Sequence, residues 1–226
     1  MARAGFDPAD CRVCGGRCPP RFALCFCCRA TVRQLQLPLA PVVAITAYRV
    51  GDRTHRLLRG YKDAPVDEVR RQCVGALSAL VERWMADNAG RLRERFGGAW
   101  SVVATVPSSC RPTGSPADAV ATRVPDLARL HRALLVRGPG VVDHLVASRH
   151  GFEIAPGIDP GWLRTQRILV FDDSVTTGSR AQSAVAALRG EGARVAGVLV
   201  VGRATAAHRP PVPLVPGSAR REAEPT

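Results

Sequence analysis

The stretch ILVFDDSVTTGSR, at residues 168–180, constrains the fold of this 226-residue chain more than any other segment. Its leading apolar run, from Ile168 to Phe171, predicts a short buried strand that continues directly into the adjacent carboxylates Asp172 and Asp173. A loop of small hydroxyl residues follows, and the Ala-rich sequence beyond it has the apolar spacing of a helix packed on a sheet. This order predicts a polar site at the carboxyl edge of a sheet.

The loop Thr176, Thr177, Gly178 and Ser179 has the composition of a phosphate-binding turn. Backbone N–H groups at a helix N-terminus, a glycine that allows close approach and several hydroxyl donors together favour an anion. The two aspartates upstream are suited to hold the hydroxyls of a sugar or a bound Mg²⁺. The pattern therefore indicates a sugar phosphate as the ligand.

Three other interpretations of these residues fit less well. The magnesium strand of a P-loop NTPase requires G-x-x-x-x-G-K-[ST] upstream, and the only lysine in the chain, Lys62, lies in RGYKD. A dinucleotide-binding motif requires three spaced glycines, and the nearest candidate offers only Gly138 and Gly140. A plain helix cap with an ordinary turn explains each element alone, but not their combination.

The formal net charge of +13 is compatible with a nucleic-acid partner such as single-stranded DNA. All basic residues except one are arginine, however, which with the abundant Ala, Gly, Pro and Val indicates a GC-rich codon bias. Arginine also binds small polyanions through paired hydrogen bonds. No apolar run approaches the roughly 20 residues that span a bilayer, and no signal-peptide core is evident, so we expect no membrane insertion and a cytoplasmic location.

Six of the eight cysteines lie between residues 11 and 28. Without an export signal, such a cluster is more typical of a metal site than of disulfides. Two C-x2-C pairs, Cys11 with Cys14 and Cys25 with Cys28, are spaced to form two knuckles around a tetrahedral ion, and Zn²⁺ is the expected metal. Cys18 and Cys27 leave open which four cysteines bind it. The site is expected to be structural, since a segment with few apolar residues needs metal to fold.

Strand and helix patterns alternate between these two motifs, which predicts an α/β fold with a mainly parallel sheet covered on both faces. The predicted strands are residues 41–48, 100–107 and 194–202 in addition to 168–171, and the predicted helices begin at Asp67 and cover 124–135 and 180–192. The chain is expected to divide into a Cys-rich module at 1–38, a domain at 39–205 that is large enough for one catalytic core, and a Pro- and Arg-rich tail at 206–226. The tail is expected to be disordered.

The segment 168–180 resembles the PRPP-binding motif of type I phosphoribosyltransferases, and the resemblance implies their fold. It implies that Asp172 and Asp173 hold the ribose hydroxyls of PRPP, in a site that uses Mg²⁺. The residues that would surround the 5′-phosphate are Val175, Thr176, Thr177, Gly178 and Ser179. In that family the loop after the strand at 100–107 binds pyrophosphate, which here suggests Ser108, Ser109 and Arg111.

The cysteine pairs, the segment THRLLRGYKD at 54–63 and SRHGFEI at 148–154 narrow the resemblance to the ComF group of competence-associated phosphoribosyltransferase-like proteins. Members of that group usually carry an R-G-F-N-Q-like run after the pyrophosphate loop. This chain has RPTGSPADAVATRV at that place, without an Asn-Gln pair or an adjacent aromatic residue. The departure lies in the region that would recognise the acceptor.

Two classes of function follow from the resemblance. In the first, the protein is an enzyme that transfers ribose 5-phosphate from PRPP to a nitrogen acceptor and releases pyrophosphate. In the second, the site senses PRPP without turnover, and the protein is an accessory factor in DNA uptake that binds single-stranded DNA. Catalysis would need only the positioning of leaving group, Mg²⁺ and nucleophile, with no covalent intermediate on the protein.

Overall fold

The computed structural model describes residues 10–19, 21–108 and 115–205. Helices and strands alternate along this part of the chain, as the sequence predicts. In order they are α1 (Phe26–Leu35), β1 (Val42–Tyr48), α2 (Arg53–Asp63), α3 (Asp67–Arg95), β2 (Val102–Thr105), α4 (Pro116–Ala121), α5 (Pro125–Ala128), β3 (Leu135–Arg137), β4 (Phe152–Ile154), α6 (Pro160–Thr165), β5 (Arg167–Val175), α7 (Ser179–Gly190) and β6 (Arg194–Ala204).

Four strands form the central sheet, in the order β1-β6-β5-β2, and every neighbouring pair is parallel. The strands predicted at 41–48, 100–107, 168–171 and 194–202 are these four. The short strands β3 and β4 pair with each other as an antiparallel hairpin. The prediction of an α/β fold with a parallel sheet is therefore confirmed.

Alternate residues of β5 enter two separate hydrophobic cores. Leu169 and Phe171 pack on the side of the sheet covered by α2, α3, α4 and α5, whereas Ile168 and Val170 pack on the side covered by α7. A strand buried on both faces must be apolar at consecutive positions, which is why the sequence shows an unbroken run rather than alternation. The helices cover both faces of the sheet, as predicted.

The long helix α3 begins at Asp67 as predicted and continues to Arg95. Its C-terminal end is followed by Phe96, whose ring lies over the sheet at Gly197. A Cβ atom at position 197 would stand 2.3 Å from the Phe96 ring, so only glycine allows this approach. The C-terminal end of α3 is thus packed against β6 through a contact that is remote in sequence.

The helix predicted at 124–135 is wrong beyond Ala128. A capping box at Ser115 begins α4, and Pro125 occupies the first position of the four-residue α5. The chain then pairs with the edge of β2, where the Val103 N–H donates to the Leu130 carbonyl at 2.9 Å. Residues 130–132 satisfy their backbone groups against the sheet, and this long-range pairing ends the helical pattern.

The Cys-rich module packs against the α/β unit. Leu35 of α1 packs in one small cluster with Ala186 of α7. Just after the module, the side chain of Gln182 forms two hydrogen bonds to Ala40, accepting from its N–H at 3.0 Å and donating to its carbonyl at 2.8 Å. Both residues are fully or almost fully buried. The tail predicted at 206–226 lies outside the described residues, and among the described helices none is long and apolar enough to cross a bilayer.

Replacement of Gln182 by Ala is expected to lower the free energy of unfolding by about 2 kcal/mol or more, because it leaves a buried N–H and a buried carbonyl of Ala40 without partners. Urea denaturation followed by circular dichroism measures this loss. The matched control is Gln72→Ala, since Gln72 is exposed on α3 and its side chain bonds to the exposed Glu68. Equal effects of the two substitutions would contradict the role given to Gln182.

Candidate functional site

The paired aspartates lie inside β5 rather than after it. The strand continues through Asp172 and Asp173 to Val175, paired with β6 throughout this extension. On its other side β2 ends at Thr105, opposite Phe171. The acids therefore occupy the part of β5 that extends beyond β2, at the carboxyl edge of the parallel sheet, where such sheets hold their ligands.

Strand alternation directs the two carboxylates to different neighbours. Asp173 forms an ion pair with Lys62 near the C-terminal end of α2. Asp172 accepts a hydrogen bond at Oδ1 from the backbone N–H of Asp173, at 2.9 Å. Each aspartate is only 3% exposed, so both acids and the bond between them are removed from water.

This burial separates the two pKa values. Removal from water raises the pKa of Asp172 to about 8, and the neighbouring charge of Asp173 adds to the effect against the opposing charges of Arg180 and Lys62. Burial acts on Asp173 in the same direction, but the ammonium of Lys62 outweighs it and holds the pKa of Asp173 below its ordinary value. At neutral pH the pair therefore retains one proton, on Asp172.

Two further side chains border the acid pair. Tyr61, next to Lys62 on α2, is buried, and its hydroxyl interacts with Asp173. Burial, followed by the charge of Asp173, raises the pKa of this hydroxyl. Arg180, in the first turn of α7, donates from Nη2 to the carbonyl of Pro107 at 2.8 Å. Its guanidinium thus connects the start of α7 to the segment that follows β2.

The loop after β5 leads into the N-terminus of α7. Gly178 is the N-cap residue at φ +88°, a conformation that glycine adopts without strain, and α7 has neither a side-chain cap nor an acidic residue in its first turn. Thr176 is exposed and Ser179 is buried. Thr177 donates to the carbonyl of His144 and accepts from the Ser179 N–H at 3.3 Å. The positive end of the helix dipole therefore adjoins a loop rich in hydroxyl groups.

The remaining predicted ligand-binding residues lie in different settings. The side chain of Val175 is buried in the core on the α7 side of the sheet, so any ligand contact it makes would be through the backbone. Ser108 is buried just beyond the end of β2. Ser109 and Arg111 lie outside the described residues. The structure thus brings the acid pair and the loop together at one edge of the sheet.

Sequence reasoning missed the role of Lys62. The motif RGYKD contributes to the family resemblance, and its lysine counts against a P-loop. Neither use of the motif predicts a contact between Lys62 and the acid pair. One signal was present, because Lys62 is the only lysine in a chain that otherwise uses arginine. The pairing itself depends on how α2 packs across the sheet, which no local pattern shows.

The four predicted metal ligands converge. The Sγ atoms of Cys11, Cys14, Cys25 and Cys28 all lie within 4.8 Å of one another, and those of Cys14 and Cys25 are 3.7 Å apart. Zinc–sulfur bonds of about 2.3 Å in a tetrahedron require sulfur separations of about 3.8 Å. The four cysteines can therefore hold a structural metal such as zinc.

The other two cysteines of the module have separate environments. Cys18 is buried, and its thiol donates to the carbonyl of Phe22 at 2.9 Å. Cys27 lies on α1, partly exposed, outside the group of four. This resolves the choice among the six cysteines that their spacing left open.

Local backbone geometry arranges the thiols. The Cys11 N–H donates to the Gly16 carbonyl at 2.7 Å across a tight turn, and Gly15 in that turn has φ +64°. The Gly16 N–H points at Sγ of Cys14 at 3.4 Å, and the Cys28 N–H points at Sγ of Cys25 at 3.5 Å. Backbone donors aimed at sulfur stabilise thiolates, which are the form that binds zinc.

No protein-family model and no curated protein sequence matches this chain. The structure itself defines an α/β protein with a buried acid pair at the carboxyl edge of a parallel sheet and a four-cysteine cluster in its N-terminal module.

Metal analysis of the purified protein is expected to find about one zinc ion per chain, because four thiols at these separations fit one tetrahedral ion. Cys14→Ser should lose the metal and lower the thermal midpoint. Cys27→Ser is the matched control and should retain it, since Cys27 lies outside the cluster. Equal zinc content in both variants would contradict the ligand assignment.

Replacement of Asp172 by Asn is expected to raise the thermal midpoint of the ligand-free protein at and above pH 8. Because the pKa of Asp172 is raised to about 8 in the fold, the folded protein keeps a proton that the unfolded chain releases, and wild-type stability falls as pH rises toward that value. The asparagine removes this penalty, on the order of a few kcal/mol.

Asp173→Asn provides the contrast for this measurement. The pKa of Asp173 is lowered, so its charge contributes stability above the unfolded pKa, and its loss should lower the midpoint at neutral pH. Thermal unfolding across a pH series measures both variants. A wild-type midpoint that falls no more steeply toward pH 8 than that of Asp172→Asn would contradict the burial of a protonated Asp172.

Proposed function

We propose that this protein binds PRPP with Mg²⁺ at the carboxyl edge of its sheet and belongs to the ComF-like type I phosphoribosyltransferases. The observation that carries the proposal is the buried pair Asp172 and Asp173, held where β5 extends beyond β2 and followed directly by the loop at the N-terminus of α7. An acid pair suits a diol, and a helix N-terminus suits a phosphate. A sugar phosphate has both groups at a fixed separation.

The phosphate end of the ligand would lie against the loop from Thr176 to Ser179. Gly178 adopts the left-handed conformation that lets backbone N–H groups turn toward an anion. Thr176 is exposed and available as a hydroxyl donor. Binding energy from this remote phosphate would position the anomeric carbon without taking part in the reaction.

The ribose hydroxyls would contact the carboxyls of Asp172 and Asp173. A protonated Asp172 can donate a hydrogen bond as well as accept one, which suits a hydroxyl partner that does both. Ser108, just beyond β2, and Arg180, which reaches the carbonyl of Pro107, stand on the side where the pyrophosphate would extend. Mg²⁺, when bound with the ligand, would neutralise charge on the departing pyrophosphate.

In the proposed reaction a nitrogen acceptor forms a bond to the anomeric carbon while the bond from that carbon to the pyrophosphate oxygen breaks. The bonding electron pair leaves with pyrophosphate, and the acceptor nitrogen loses a proton to solvent. The residues of the site hold the ribose and the phosphate in line and supply positive charge near the leaving group. The four-cysteine site lies in a separate N-terminal segment of the chain and is proposed to be structural.

A second candidate is a protein that binds PRPP without consuming it and acts as an accessory factor in DNA uptake. Two observations favour this second candidate. The R-G-F-N-Q-like run is absent from the segment after Ser108, and the chain carries a net charge of +13 that could serve single-stranded DNA. Both candidates share the same PRPP site.

PRPP with Mg²⁺ is expected to raise the thermal midpoint, because a ligand that binds only the folded state stabilises it by about 2.7 kcal/mol at about 100 times its Kd. The double substitution Asp172→Ala with Asp173→Ala should abolish the rise. Asp126→Asn is the matched control, since Asp126 is an exposed acid that pairs with Arg129 on the surface. An unchanged wild-type midpoint at saturating PRPP would refute the proposed ligand.

Turnover and DNA binding separate the two candidates. Pyrophosphate release is measured with PRPP, Mg²⁺ and a panel of bases and amines as acceptors. Single-stranded DNA affinity is measured over a range of salt concentrations, where a steep fall indicates phosphate contacts. Release with one acceptor class supports the enzyme, whereas salt-dependent DNA binding with no release supports the accessory role.

A further inference from the structure

Lys62 stands at a position where its charge is directed into the site. Helix α2 begins at its N-cap Asp52, whose side chain accepts from the His55 N–H at 2.7 Å, and Leu58 and Tyr61 are buried against the sheet. Lys62 follows in the last turn, where the negative end of the helix dipole favours a cation. The packing of α2 therefore presents the ammonium group to the carboxyl edge of β5.

The ammonium group of Lys62 is an ion-pair partner of the acid pair. Its partner is Oδ2 of Asp173, which is buried, while the lysine side chain is itself only 23% exposed. Its charge also acts on Asp172, where it opposes the rise in pKa. The buried hydroxyl of Tyr61 borders the same space and interacts with Asp173, which helps to lower the pKa of that carboxyl. Two carboxylates and a phenol oxygen would otherwise be a set of oxygen ligands for a divalent cation.

A bare divalent cation meets two obstacles here. Contact with Asp173 would require displacement of the ammonium, because Mg²⁺ and its ligands need oxygen distances of about 2.0–2.1 Å within the same volume. The cation would also be repelled by Lys62 and by Arg180, whose charge acts on Asp172 from the α7 side. Both positive charges are held in a partly buried setting, where solvent screens them less than at the surface.

We propose that Lys62 is a built-in counter-cation of the acid pair, which excludes a free divalent metal and reserves the site for a metal that arrives already bound to an anionic ligand. An anionic ligand lowers the electrostatic barrier to the metal, because its oxygens give the ammonium new partners and offset the repulsion between the metal and the two cationic side chains. Only this last step rests on the proposed function. The exclusion of free metal is a property of the ligand-free protein.

Mn²⁺ alone is the probe, because it binds oxygen ligands as Mg²⁺ does and free Mn²⁺ is quantified by its electron paramagnetic resonance signal. The full-length, zinc-loaded wild-type protein should take up Mn²⁺ only weakly. Lys62→Ala should bind it at least about tenfold more tightly, and the gain should disappear in Lys62→Ala with Asp173→Asn. Lys62→Arg, which keeps the charge, should behave as wild type.

Arg59→Ala is the matched control. Arg59 lies on the same helix, is exposed and pairs with Asp63, so its removal lowers the net charge equally without touching the acid pair. Equal Mn²⁺ affinity of Arg59→Ala and Lys62→Ala would show that the gain in affinity comes from the lower net charge alone, and would overturn the proposal.

Two further outcomes would overturn it. One is a folded Lys62→Ala protein, verified by circular dichroism, that gains no Mn²⁺ affinity. The other needs no lysine variant: wild-type protein that binds Mn²⁺ tightly and loses it on Asp173→Asn. Neither result depends on PRPP. If the protein does not bind PRPP but shows the expected pattern of Mn²⁺ affinities, the proposed function is refuted and the role of Lys62 as counter-cation still stands.

Discussion

Strand β5 is the element on which the rest of the structure depends. It is hydrogen-bonded to β2 and β6 up to Phe171 and to β6 alone beyond it. Because its residues are buried on both faces, the strand carries Asp172 and Asp173 into the interior together with its apolar residues. Their desolvation is a cost that the fold offsets locally, with charges and hydrogen bonds supplied by neighbouring elements.

The compensation of the acid pair comes from both layers of helices. Lys62 reaches Asp173 from α2, and the charge of Arg180 acts on Asp172 from α7. The result is two adjacent carboxyls of the same residue type with pKa values displaced in opposite directions, a separation typical of functional sites. A retained proton on Asp172 reduces the repulsion that two buried charges would exert on each other and on an anionic ligand.

The Cys-rich module is connected to the loop from Thr176 to Ser179 through one short segment. Gln34 of α1 accepts at 2.9 Å from the Ala147 N–H, and Arg149 bonds to the carbonyls of Leu35 and Gln36 at the end of that helix. The same segment offers the carbonyl of His144 to Thr177. Two of the four cysteines, Cys25 at the N-cap and Cys28 in the first turn, belong to the start of α1. The cluster and the loop are therefore connected through α1 and this segment.

The sequence alone determined the four sheet strands, the two-sided α/β layering and the presence of a cysteine cluster near the N-terminus, because local periodicity and spacing carry these features. Which four of its six cysteines converge was decided by the tertiary structure. The sequence also indicated Asp172, Asp173 and the loop to Ser179 as one site, since they are contiguous in the chain. Only the tertiary structure decided that residues 130–132 pair with β2 instead of extending a helix, and that Lys62 neutralises Asp173. Those outcomes depend on contacts between segments far apart in the chain, whose free energy exceeds the local preferences that a sequence pattern records.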